Sequence, residues 1–86
     1  MSKRRSRMDI IHSILKTIRE DSVGAYKTRI LYRSNLSHLV LNRYLDFIMG
    51  NELVKTERIG EKPVYCITDK GREFIKTYEK MRSTLL

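Results

Sequence analysis

The sequence predicts an α+β domain, mainly α: three helices, a β-hairpin and one more helix at the C-terminal end. Three observations carry this prediction. Before residue 50, apolar residues return at spacings of three and four in separate stretches. From Leu53 the composition shifts to Val, Ile, Thr and Tyr on either side of Gly60-Glu61-Lys62-Pro63, and after Thr68 the helical spacing resumes.

Each element has its own signal. Ile10, Ile11, Ile14, Leu15 and Ile18 mark an amphipathic helix over about residues 8–20, which Asp21, Ser22 and Gly24 interrupt. A shorter helix is expected over about 26–33, with Ile30 and Leu31 inward, Lys27, Arg29 and Arg33 outward, and Ser34-Asn35 as a tight exit. Ser37 is a good N-cap for a third helix over 37–50, whose inward face takes Leu41, Tyr44, Leu45 and Ile48. That helix should end near Gly50-Asn51, both of which tolerate left-handed backbone. Two strands, about 53–59 and 64–67, flank a four-residue turn, with Pro63 at the start of an edge strand. Thr68 caps the last helix, Asp69 favours its positive end, and it runs to about Leu85.

The order helix, helix, turn, helix, hairpin, helix is that of a winged helix-turn-helix with an additional C-terminal helix. With 86 residues the chain can bury one modest core. Residues 1–7 read as a basic arm, 8–67 as the winged helix-turn-helix domain, and 68–86 as a C-terminal dimerisation helix.

The formal charge of +8 is unevenly placed. Residues 1–43 hold ten Lys/Arg against three Asp/Glu, whereas residues 44–86 hold eight against seven. A basic half of this kind suits a polyanion, because each neutralised phosphate releases condensed counterions. In a helix-turn-helix the second helix of the pair enters the major groove, so the outward residues His38, Leu39, Asn42 and Arg43, with Ser37 at the helix start, are the candidate base-reading set. Asn suits adenine and Arg suits guanine, each through two hydrogen bonds. Lys27, Arg29 and Arg33 on the preceding helix are expected on phosphates. Arg58 and Lys62 near the hairpin tip, and Arg4 and Arg5 in the arm, are expected on the backbone or in the minor groove. Glu57 and Glu61 interleave the hairpin's basic residues.

Phe74, Tyr78, Met81 and Leu85 follow at spacings of four, three and four, with Ile75 beside them, which matches a coiled-coil seam. Part of this stripe can cover the domain's own core, but Met81 and Leu85 lie beyond what so small a domain covers, so the stripe is expected to join two copies into a homodimer, presenting paired recognition helices.

Three tracts resemble the small winged-helix DNA-binding proteins of archaea: Tyr26 through Ser37, Asn42 through Phe47, and Tyr65 through Phe74. The resemblance covers nearly the whole chain. It implies a homodimer joined by an antiparallel C-terminal helix, a chromatin-associated or transcription-regulating role, and an archaeal or archaeal-virus source. The final helix here is short and the hairpin carries acids, unlike the family pattern.

Catalysis is not expected. His12 and His38 lack Cys, Asp or Glu at metal-ligand spacing, no glycine-rich phosphate loop is present, and Cys66 reads as a packing residue in a strand. No metal or cofactor is implied. No apolar run approaches the roughly 20 residues of a membrane span, and the lone cysteine and the start of the chain suggest a cytoplasmic, nucleoid-associated protein. Two rivals remain: a protein-interaction adaptor, favoured by Leu39 and Val40, and a binder of structured RNA.

Overall fold

The computed structural model describes residues 6–85. In chain order these form α1 (Arg7–Arg19), α2 (Lys27–Ser34), α3 (His38–Gly50), β1 (Val54–Ile59), β2 (Lys62–Ile67) and α4 (Asp69–Leu85). The expected winged helix-turn-helix order is the one observed.

Helix α1 is the centre of the packing. Its 3–4 spacing buries Ile11, Ile14, Leu15 and Ile18 on one face, and it lies against α2, α4 and β2 together. Ile30 of α2, Leu41, Leu45 and Ile48 of α3, Val54 of β1 and Ile75 of α4 close the core around it. Each such side chain contributes about 1.5–3 kcal/mol by leaving water, enough in sum to hold short helices that would not persist alone. Ala25, between α1 and α2, exchanges both backbone hydrogen bonds with Tyr65 at 2.8 Å, adding a one-residue third strand beside β2.

Three local details differ from expectation. Helix α1 starts at Arg7, a residue assigned to the arm, because Ser6 and Asp9 form a capping box. The Ser6 hydroxyl accepts from the Asp9 N–H at 3.1 Å, and the Asp9 carboxylate accepts from the Ser6 N–H at 3.3 Å.

Helix α3 ends as expected at Gly50, yet neither Gly50 nor Asn51 is left-handed; Glu52 is, at φ 61°. The Glu52 N–H donates to Met49 O at 3.0 Å and the Leu53 N–H to Ile48 O at 2.9 Å, which is a Schellman closure with Leu53 and Ile48 both buried beneath it.

The hairpin turn is shorter than four residues. Ile59 pairs with Lys62, leaving Gly60-Glu61 as a two-residue loop with Gly60 at φ 65°, the pattern of a type II′ turn. Pro63 therefore lies inside β2 opposite Arg58. It is tolerated there because Tyr65, two residues on, turns its N–H away from β1 toward Ala25, so the N–H that proline lacks would also have pointed away from β1.

Candidate nucleic-acid interface

Helix α2 closes on Asn35 in the left-handed conformation (φ 56°, ψ 45°), and Asn35, Leu36 and Ser37 make the turn into α3. The buried Ser34 hydroxyl donates to Ile30 O at 2.6 Å, so burial leaves it satisfied. Ser37 caps α3 by accepting from the Val40 N–H at 3.3 Å, and its own hydroxyl proton stays available to a ligand. Because Leu41, Leu45 and Ile48 face the core, the other side of α3 looks outward: His38, Leu39, Asn42, Arg43 and Asp46 are all exposed. Arg43 makes no ion pair among the described residues.

The basic residues of α2 have neighbours that spacing along the chain could not reveal. Arg29 Nε lies 3.5 Å from the Asp21 carboxylate, and Arg33 Nη2 lies 2.8 Å from that of Glu20. Lys27 is half-buried. Tyr32, between the two arginines, is 86% exposed. In the hairpin, Arg58 and Lys62 are exposed on either side of the turn. The Lys62 ammonium sits 6.0 Å from the Tyr26 ring centre, which ties the hairpin to the start of α2. Lys55 is paired with Glu57 at 3.2 Å. Arg4 and Arg5 lie outside the described residues.

A family model of winged helix-turn-helix domains matches residues 4–85. The chain belongs to the winged helix-turn-helix family. Two uncharacterized proteins of Methanocaldococcus jannaschii are similar in sequence. MJ0287 is 34% identical over 70 residues, which is 81% of this chain and 66% of that protein. MJ0290 is 30% identical over 81 residues, which is 93% of this chain and 35% of that protein. This winged helix-turn-helix thus spans about a third of one relative and about two thirds of the other.

Among solved structures, Sso10a-2, a DNA-binding protein from Sulfolobus solfataricus, superposes with a TM-score of 0.74 at 25% identity, covering 94% of this chain and 85% of that one. AF1382 from Archaeoglobus fulgidus superposes with a TM-score of 0.73 at 20% identity, covering 90% and 88% of the two chains, and shares the fold. In this frame α3 is the recognition helix and the β1–β2 hairpin is the wing of the winged helix-turn-helix.

The residues expected along the seam of the last helix differ in exposure. Ile75 and Tyr78, placed at the dimer seam by the sequence, are buried in this chain's own core. Phe74 is half-buried and stacks on Tyr78 at 6.4 Å, whereas Met81 is 52% and Leu85 80% exposed. Polar contacts fasten α4 to α1: the Tyr78 hydroxyl donates to Asp9, Arg82 lies 3.9 Å from Asp9, and His12 lies 2.9 Å from Glu79. The Tyr78 hydrogen bond, aided by Ser6, holds the Asp9 carboxyl below its ordinary range and raises the Tyr78 phenol. His12 likewise lowers Glu79. Burial, and secondarily Glu57, raise the Cys66 thiol, which favours its unreactive protonated form.

Beside the recognition helix a groove of about 700 Å³ opens. Val40, Arg43, Tyr44 and Phe47 of α3 form one wall, Arg7, Met8 and Ile11 of α1 another, and Lys70 and Phe74 of α4, with Asn51 and Leu53, complete it. No group of three or more His, Cys, Asp or Glu suited to a metal occurs among the described residues, and no helix among them is long and apolar enough to cross a membrane.

Proposed function

We propose that the chain binds double-stranded DNA without catalysis, with α3 in the major groove and α2 and the wing on the backbone. The observation that carries this reading is the outward face of α3, where Asn42 and Arg43 stand exposed one turn beyond Ser37 and His38. Arg43 addresses guanine and Asn42 adenine. Leu39 can pack on a thymine methyl, and Ser37 and His38 lie where phosphates border the groove. Arg29, Arg33 and Lys27 contact phosphates of one strand; Arg58 and Lys62 meet the next segment of backbone, and the arm with Arg4 and Arg5 extends the contact. The likeness to a DNA-binding protein of Sulfolobus solfataricus over 94% of the chain supports the same reading.

Two copies act together. Met81 and Leu85 leave an apolar pair at the C-terminal end of α4, which supplies the surface a second copy would cover; Phe74, expected beside them, lines the groove by α3 instead. Ile75 and Tyr78 contribute by holding α4 in place rather than by touching the partner. A dimer of this kind acts in the cytoplasm on the nucleoid, either as a transcriptional regulator or as a chromatin-associated protein; the ratio of specific to random-sequence affinity separates the two roles.

The test is fluorescence anisotropy of a labelled random duplex across a salt series. Binding that weakens with a log–log slope of about −0.9 per phosphate neutralised supports the reading. Absence of binding at low salt removes it and leaves the adaptor role, for which Leu39, 63% exposed on the same face, would be the contact.

A further inference from the structure

The groove beside α3 combines apolar walls, which the DNA-binding surface does not need, with a basic rim. Its walls are apolar and aromatic, with Phe47 55% exposed and Tyr44, Phe74 and Met8 around it. Its rim carries Arg7, Arg43 and Lys70, with no Asp or Glu among the lining residues. None of these three cations makes an ion pair among the described residues, unlike Arg29, Arg33, Lys55 and Arg82. An apolar groove of this size lined by a few polar groups is what small-molecule sites present, and the uncompensated positive rim selects the sign of the ligand.

We propose that this groove binds a small amphipathic organic anion, its apolar body against Phe47, Phe74 and Met8 and its acid group between Arg7, Arg43 and Lys70. A second copy of this chain fits less well. The exposed end of α4 that it could insert, residues 80–85, offers Lys80 and Arg82 and no acid to the basic rim.

The position of Arg43 gives the site a consequence, which rests on the DNA-binding reading. Along α3, residues 40, 43, 44 and 47 line the groove, while 39, 42, 43 and 46 form the outward face. Arg43 belongs to both stripes. A guanidinium held by an acid in the groove is withdrawn from a base edge, so ligand and duplex oppose each other, and each weakens the other's binding by the same factor.

The experiment has two parts, and the first involves no DNA. The folded protein is titrated with anilinonaphthalene sulfonate, an aromatic anion whose fluorescence rises in apolar surroundings, and with uncharged N-phenylnaphthylamine. The expected result is saturable one-to-one binding, about tenfold tighter for the anion. It should be competed by decanoate, lost in Phe47→Glu and weakened in Arg7→Gln/Lys70→Gln. Circular dichroism checks that the variants stay folded. Binding that is unsaturable, indifferent to charge or unchanged in both variants overturns the site. So does a wild-type dimer that excludes the dye and dissociates in Phe47→Glu, because a second copy would then fill the groove.

In the second part, decanoate is added to a protein–duplex complex, with the expected result a several-fold weaker duplex affinity. Groove binding with unchanged duplex affinity overturns the opposition alone. Groove binding by a protein that takes up no duplex overturns the DNA-binding reading while leaving the site intact.

Discussion

The Arg33 guanidinium lies 2.8 Å from the Glu20 carboxylate, across the junction between α1 and α2. Arg29 meets Asp21 in the same way one turn earlier. On the proposed reading both arginines meet phosphate, yet both start from an ion pair that phosphate must replace. Exposed pairs of this kind are worth about 0.2–1 kcal/mol. Glu20→Gln with Asp21→Asn, which removes both pairs, should therefore tighten duplex binding by about twofold to thirtyfold at low salt, measured by anisotropy. Unchanged or weaker binding would remove Arg29 and Arg33 from the interface.

Arg43 and Arg29 should fail differently when truncated. Arg43→Ala is expected to cost about 1–3 kcal/mol on a preferred duplex and much less on a random one. Arg29→Ala should weaken all duplexes alike and reduce the salt slope by about one. Equal losses across sequences for both variants would take Arg43 off the base edges.

Acid should loosen the contact between α1 and α4. Asp9 and Glu79 titrate below their ordinary values of 3.8 and 4.5 in the folded chain, through Tyr78 and His12 respectively. A carboxyl with a lowered folded value binds fewer protons when folded than when unfolded, so its contribution is complete above the ordinary value and is lost as pH falls through the folded one. The urea midpoint should accordingly drop between about pH 5 and pH 3, and Tyr78→Phe with Glu79→Gln should flatten that drop. A double variant with the parent's pH dependence would show that these contacts do not govern it.

Two glycines should respond oppositely to alanine. At Gly71 an added Cβ would stand 2.2 Å from the Leu53 carbonyl oxygen and 2.8 Å from the Ile67 side chain, so the start of α4 must shift. Gly71→Ala should cost about 1–3 kcal/mol, as overpacking does. At Gly50 a Cβ meets nothing within 4 Å, and Gly50→Ala should stabilise by up to about 1 kcal/mol through helix propensity. Urea midpoints at unchanged slope are the measurement; a neutral Gly71→Ala would mean that the packing of α4 against Leu53 and Ile67 is slack.

The outward face of α3 was legible because helical periodicity alone assigns sides: Leu41, Leu45 and Ile48 fix the core direction, and His38, Leu39, Asn42 and Arg43 follow by geometry. The groove was not legible. Val40 reads only as support, with Leu39, for an adaptor surface, and nothing local says that Arg7 and Lys70 come to meet it and Phe47 from helices at opposite ends of the chain. The left-handed Glu52 was missed for a related reason. Glycine and asparagine are the residues expected there, and the choice among 50, 51 and 52 was made by where Leu53 must enter the core.

By itself, then, the sequence determined the element order, the buried faces of α1, α2 and α3, the caps at Ser37 and Thr68, and the basic character of the N-terminal half. These depend on interactions within a few residues of the chain, where spacing translates directly into direction. Tertiary structure alone decided which arginines begin paired with acids, that Ile75 and Tyr78 serve this chain's own core, and that Arg43 borders a groove as well as the outward face. Those outcomes depend on how α2 meets the end of α1 and on how α1, α3 and α4 cross, because only that packing brings charges and apolar edges from separate elements within a few ångströms of one another.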